Sequence, residues 1–268
     1  MSIENRHNPD LRADVEELRL TRSQSESTSD TKWNFYDLHL SSFAREFMPV
    51  TPGGEDPEYD YKKAEQLFMD YLGKILKPES NHHLAAIELG GPGVNLFDDF
   101  PEHFFEKTLG VCLPDTKNPI QKPRPSHEIV RGDLLRNDTY TKIETVLNGD
   151  KVDLIISRMR GGIDEATNNP VIWAKLAKKW YKFLREGGLM FVQFKYQSKE
   201  KIIPKDGIQI DLRDKLMKEW VAFIQNNYGD TLEIQLGDKS FRLLKKEGAP
   251  EDLPVLQFFD RTPIVEKF

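Results

Sequence analysis

Apolar positions along the chain follow two spacings. Short apolar-rich runs at Leu84–Leu89, Thr108–Leu113, Glu128–Leu135, Lys151–Arg158 and Gly187–Lys195, bounded by turn residues, predict buried strands. Between them, apolar residues recur at helical spacing. Ala64, Leu67, Phe68, Tyr71, Leu72 and Ile75 predict a helix over Tyr61–Leu76, ending before Lys77-Pro78 because a residue preceding proline avoids helical dihedrals. A briefer helix is predicted over Asp138–Leu147, stopped at Asn148-Gly149. Ile172, Trp173, Leu176, Ala177, Trp180 and Leu184 form the stripe of a longer one, capped by Asn169-Pro170 and stopped by Gly187. Lys175, Lys178, Lys179, Lys182 and Arg185 form its other face. Leu212–Tyr228 predicts a further helix, and Leu232–Leu236 with Phe241–Lys245 an antiparallel hairpin, before a last candidate strand at Val255–Phe259. Strands alternating with helices indicate an α/β fold with a mostly parallel sheet, helices on both faces, and ligands at the C-terminal ends of the strands.

The first strand passes directly into Glu88-Leu89-Gly90-Gly91-Pro92-Gly93, and Leu96, Phe97, Phe100 and Phe104 predict a helix after it. A strand that ends in a carboxylate and feeds a glycine turn suits a nucleotide-like ligand. The glycines admit close backbone approach, and the acid accepts hydrogen bonds. The same stretch also reads as a tight turn that packs strand on helix.

The N-terminal region has a different pattern. Met1–Thr31 is polar and Ser/Thr-rich from Thr21 to Thr31, too poor in apolar surface to offset ordering entropy. It reads as a tail over residues 1–31, with Leu11, Val15 and Leu18 sharing one face of a possible short helix, or as a partner-binding or phosphorylated segment. Trp33, Phe35, Tyr36, Leu38, Leu40, Phe43, Phe47 and Met48 then begin an aromatic-rich extension over 32–78 that either docks on the main domain, 79–268, or covers a substrate.

Composition narrows the classes. A chain of 268 residues holds one large core, and 38% hydrophobic residues leave part of it outside that core. A net charge of -6 argues against bulk attraction to nucleic acid, although the basic helix face remains a local alternative to simple solvation. The single Cys112 excludes an internal disulfide and fits a reducing compartment. The adjacent His82 and His83 point to different faces, so no metal site is expected. With no apolar run of membrane-spanning length and no leader-like segment after Met1, a cytoplasmic protein without a membrane partner is expected.

In their order, these segments resemble the class I S-adenosylmethionine-dependent methyltransferases. Glu88–Gly93 is similar to that family's first motif, Gly132-Asp133-Leu134 to its adenine-side acid, Asp153-Leu154-Ile155-Ile156 to its fourth motif, and Leu184–Val192 to its helix-to-strand turn. The resemblance implies a Rossmann-like methyltransferase sheet closed by an antiparallel hairpin, and S-adenosylmethionine as cofactor. It implies that Gly90, Gly91, Pro92, Gly93 and Ser157 border that cofactor, and that Glu88 holds the methionine end through the ordered turn or by charge. Asp133 would meet the adenine amino group, with Leu134 against the ring. The proline-containing Pro114–Pro125 connection is similar to that of the RNA ribose 2′-O-methyltransferase branch, so a small molecule or an RNA is the implied acceptor.

The chain departs from the family at several of these positions. Cys112 stands where many members carry the ribose acid, which puts ribose binding in doubt or moves it to Asp115. Ser157-Arg158-Met159-Arg160 replaces the motif of amino-methylating members. The ribose-methylating tetrad would place an aspartate near Arg158 and a lysine at Gln193, so it is not carried over. Instead, Arg158 and Lys195 are expected to converge on the rim, Arg158 anchoring an anionic acceptor and Lys195 serving in acid/base chemistry. Three readings stay open: an active methyltransferase, a degenerate methyltransferase fold acting as a binding or scaffold protein, and another doubly wound nucleotide-binding enzyme.

Overall fold

The structure, a computed structural model, describes residues 39–48, 57–77, 83–114, 116, 118–119, 121–158, 170–193, 217–237 and 240–256. The polar tail, the onset at Trp33, Asp115 and Lys195 lie outside the described residues.

Helix α1 (Leu40–Phe47) and helix α2 (Pro57–Leu76) precede strand β1 (Ala85–Leu89). Then follow α3 (Val94–Asp98), β2 (Lys107–Cys112), β3 (His127–Arg131), α4 (Asn137–Leu147), β4 (Val152–Ser157), α5 (Pro170–Tyr181) and β5 (Leu184–Gln193). A helix described over residues 217–228, α6, leads into β6 (Leu232–Leu236) and β7 (Ser240–Lys245). The strands form one sheet in the order β3-β2-β1-β4-β5-β7-β6. Its first five strands are parallel, and β7 inserts antiparallel between β5 and β6. This is an open, mostly parallel α/β sheet closed by an antiparallel pair of strands, as the resemblance implied, with helices on both faces.

Side-chain alternation divides the core between those faces. Ala86, Leu154, Ile156, Leu189 and Phe191 pack under α1, α2 and α3 with Phe43, Phe68, Leu72, Leu96 and Phe97. Ile87, Leu109, Val111, Ile155, Met190 and Val192 pack on the other face against α4, α5 and α6, whose Ile143, Trp180 and Trp220 are buried.

Several expectations are corrected. The helix expected to run on to Gly187 ends at Tyr181, and Leu184 belongs to β5, where it pairs with Val152. Sheet pairing outweighs the helical spacing that Leu184 shares with Trp180. The helix after the glycine turn is only five residues, Val94–Asp98, so Phe100 and Phe104 lie beyond it. Pro101 cannot continue that helix, and the two rings instead pack on Phe105 with centroids 5.0 and 4.8 Å away. The first predicted helix starts four residues earlier than expected, at Pro57, a residue preorganised for a first turn. β3 stops at Arg131, short of Leu135, because Asp133 begins a turn in which its Oδ1 accepts the Leu135 N–H at 3.0 Å. Val255 and Leu256 form no strand.

The extension seats itself on Phe191 of β5 through a cluster of rings, Phe47 and Phe68 meeting it at centroid distances of 4.8 and 5.1 Å. Phe43 of α1 meets Phe68 of α2 and Phe191 of β5 edge-on, at centroid distances of 5.5 and 5.9 Å. Asp99, just past α3, caps α1 from outside, its Oδ2 accepting the Leu40 N–H at 2.7 Å. Phe43→Ala is therefore expected to cost about 3–5 kcal/mol, as for other buried aromatic truncations. Chemical denaturation would read this as a lower midpoint, and an unchanged midpoint would show that α1 is only loosely seated.

Candidate functional site

β1 lies where the sheet order reverses, with β2 and β3 on one side and β4 and β5 on the other. In such sheets the ends of the strands at this point splay apart, and ligands bind in the crevice above them. The exit of β1 is built against protein. Gly90, at φ 101°, donates its N–H to Val111 O at 2.9 Å, and Gly91 bridges to Val111. The chain folds back so that Pro92 lies flat on β2, over Gly110, where any Cβ would overlap the Pro92 carbonyl. Gly93, at φ 76°, starts α3, and a Cβ there would lie 3.1 Å from both His127 and Phe97. His127 Nε2 is 2.8 Å from the Pro92 carbonyl, and its Nδ1 is 2.9 Å from Thr108 Oγ1. A carbonyl only accepts, so Nε2 carries a proton.

Beneath the turn, Glu88 and Arg158 form a buried ion pair, 0% and 2% exposed. A Cβ on Gly91 would come within 2.6 Å of Glu88 Oε1 and 2.8 Å of Arg158 Nη2, so any side chain there would displace the pair. The Arg158 N–H donates to Leu89 O at 2.9 Å, carrying the β1–β4 pairing one residue past the strand. Arg158 therefore does not stand on the rim, as the sequence led us to expect. Glu88 faces its guanidinium, and the two charges cancel under the turn. The glycines are accounted for by protein atoms, so a substitution at Gly93 would strain the fold as well as any ligand space.

The other expected residues divide by position. Asp133 and Leu134 follow β3; Asp133 holds the Leu135 N–H, and the buried Leu134 offers its carbonyl to Tyr140 Oη at 2.7 Å. Burial pushes the Tyr140 phenol well above its usual range, which keeps it a neutral donor. Cys112, at the end of β2, is a buried thiol. The Ser157 hydroxyl, at the end of β4, is buried with no hydrogen-bond partner among the described residues. Arg131 ties down the β2–β3 connection by donating to Thr116 O at 2.6 Å and Asn118 Oδ1 at 2.7 Å. The basic patch near α5 is engaged within the chain. Lys179 bonds Asn137 Oδ1 at 2.5 Å, Lys182 pairs with Asp252 at 3.2 Å, and Arg185, now on β5, pairs with the buried Asp153.

Sequence reasoning passed over Gly110, Thr108 and His127. A glycine within an apolar strand does signal close backbone approach, and Gly110 carried that signal. Nothing in the sequence marked His127, whose partners lie 19 and 35 residues away.

Among the described residues, no helix is long and apolar enough to cross a membrane, and no group of three His, Cys, Asp or Glu side chains is placed to hold a metal ion. No family model and no curated protein matches the chain. Among solved structures, it is similar to the MycE methyltransferase of mycinamycin biosynthesis in complex with Mg, SAH and mycinamycin VI. That likeness has 14% identity and a TM-score of 0.40 over 75% of this chain and 59% of that one. Human N-acetylserotonin methyltransferase in complex with SAM matches at 12% identity and a TM-score of 0.36, over 70% of this chain and 55% of that one. An O-methyltransferase family protein from Burkholderia thailandensis matches at 12% identity and 0.38, over 89% and 72%. The chain thus spans about three fifths of the length of the first of these.

Removing one partner of a buried pair strands the other charge, which typically costs about 3–5 kcal/mol. Glu88→Gln and Arg158→Met are each expected to lose stability of that order, and the double variant to lose much less. Calorimetric melting of the four proteins measures this, and additive losses would show that the two side chains do not act as a pair.

Proposed function

We propose that the chain binds S-adenosylmethionine across the C-terminal edge of its sheet and transfers the methyl group to an acceptor held above β4 and β5. The observation that carries this reading is the glycine turn at the β1 exit, at the reversal point of a methyltransferase sheet order. When bound, the cofactor supplies an electrophilic methyl group. The chain's own part is to hold the two reactants in line, since positioning supplies much of the rate of such a transfer.

The residues present meet the cofactor's needs unevenly. The turn is rigid and backed by protein, Asp133 and Leu134 stand at the end of β3, and the orphaned Ser157 hydroxyl sits at the end of β4. Glu88, buried and faced by Arg158, acts on the methionine end through the turn and not by touching it. At the end of β2 the fit fails at Cys112, whose thiol is a weak acceptor for ribose hydroxyls. Asp115 takes that role in this reading, and Lys195 the acid/base role at the acceptor. Arg158 anchors the acceptor only if the pair with Glu88 opens.

A second reading is a methyltransferase fold kept for binding or scaffolding. The closed Glu88–Arg158 pair and the thiol at the end of β2 favour it.

Isothermal titration of the purified chain with S-adenosylhomocysteine decides between them. Saturable one-to-one binding is expected, and its absence would leave the scaffold reading. If binding is seen, Asp133→Ala is expected to weaken it by about 1–3 kcal/mol, the range for a polar group that loses its partner. An unchanged affinity would place the adenine elsewhere.

A further inference from the structure

The glycine turn is gripped from a strand that it does not adjoin in sequence. His127 is the first residue of β3, on the far side of β2 from the turn. It is 8% exposed, and its ring lies between the turn and β2. Its two nitrogens have opposite tasks: Nε2–H donates to Pro92 O at 2.8 Å, while Nδ1 accepts from the Thr108 hydroxyl at 2.9 Å. Thr108 is itself buried and adjoins His127 in the β2–β3 register. With a hydroxyl donating to Nδ1, the neutral ring keeps its proton on Nε2, the tautomer that the carbonyl requires. The same ring bounds Gly93, where a Cβ would lie 3.1 Å from it, and packs beside Phe97 at a centroid distance of 5.9 Å. Gly110 makes the arrangement possible, since any side chain there would lift Pro92 off the sheet and out of reach.

We propose that His127 is a positioning residue: through Pro92 it fixes the backbone of the Gly90–Gly93 turn, and ligand affinity at the turn depends on that hydrogen bond. The peptide plane between Pro92 and Gly93 is rigid, so holding its carbonyl also sets the direction of the Gly93 N–H and the left-handed dihedral at Gly93. A turn without this grip would sample other orientations, and binding would have to order it again. Thr108 acts one step back, by holding the tautomer. The dependence on ligand affinity rests on the function proposed above, whereas the grip on the turn does not.

The experiment uses the full chain, with His127→Phe, which keeps a ring beside Gly93 and Phe97 but loses the donor, and His127→Gln, which restores an N–H. Without ligand, exchange of the two hydrogen-bonded amides that flank the turn, Gly90 (to Val111 O at 2.9 Å) and Phe97 (to Gly93 O at 3.0 Å), is expected to quicken about tenfold in His127→Phe and to return most of the way in His127→Gln, as for loss and recovery of one hydrogen bond. S-adenosylhomocysteine affinity is expected to fall about tenfold and recover in the same pattern. Nitrogen-detected spectra of the wild-type ring should show the Nε2-protonated tautomer, with Thr108→Val shifting it toward Nδ1. Unchanged exchange at Gly90 and Phe97 in a folded His127→Phe protein would overturn the proposal. If that variant does not fold, an Nδ1-protonated ring in the wild type overturns it instead. Failure of the wild type to bind S-adenosylhomocysteine sinks the cofactor reading and leaves the exchange and tautomer results to decide the role of His127.

Discussion

The C-terminal edge of this sheet depends on the turn after β1 lying flat against β2. A strand-to-helix turn normally leaves the sheet as it rises toward its helix. Here the missing side chain of Gly110 opens a slot on the surface of β2, and the Pro92 backbone fills it. The consequences spread in both directions. Toward β3, the Pro92 carbonyl comes within hydrogen-bond reach of His127. Toward β4, Gly91 closes over the Glu88–Arg158 pair, which a Cβ would push aside. The side chain missing at Gly110 thus lets the turn after β1 tie β2, β3 and the exit of β4 together.

The ion pair under the turn changes the electrostatics expected of the site. A lone buried carboxylate would favour a cationic ligand, and a lone arginine an anionic one. Paired, they present little net field and serve mainly as a rigid, desolvated floor. Burying two charges is costly, and a well-packed apolar pair would often be as stable. What the ions provide is directionality: a guanidinium and a carboxylate meet in few geometries, and each is tied to the exit of its own strand. That restriction suits a turn that must keep one shape.

The opposite end of the sheet is tied together by polar side chains. Asp153, fully buried in β4, accepts the Ala85 N–H at 2.8 Å and pairs with Arg185. Lys245 lies over the Tyr181 ring at 4.2 Å and donates to Leu184 O, with burial drawing its ammonium below the usual lysine range. These contacts join β1, β4, β5 and β7 below the core. At the C-terminal edge, by contrast, the buried Ser157 hydroxyl has no hydrogen-bond partner among the described residues.

By itself, the sequence determined the element types, the α/β class, the order of the strands along the chain and the glycine turn. These are local properties: apolar spacing records which face is buried, and glycine and proline record where the chain must bend. It also placed Leu184 on the wrong element, because Leu184 suits both the helical stripe of Trp180 and a strand, and only pairing with Val152 chooses between them. Tertiary structure alone decided what the key residues do. Arg158 read as a free rim cation until β1 brought Glu88 beside it, 70 positions earlier in the chain. His127, one position before the third predicted strand, had no assigned role until the turn folded back over Gly110. Both roles come from contacts between distant segments, set by sheet register and by the space one glycine leaves, and no local pattern of residue types encodes those distances.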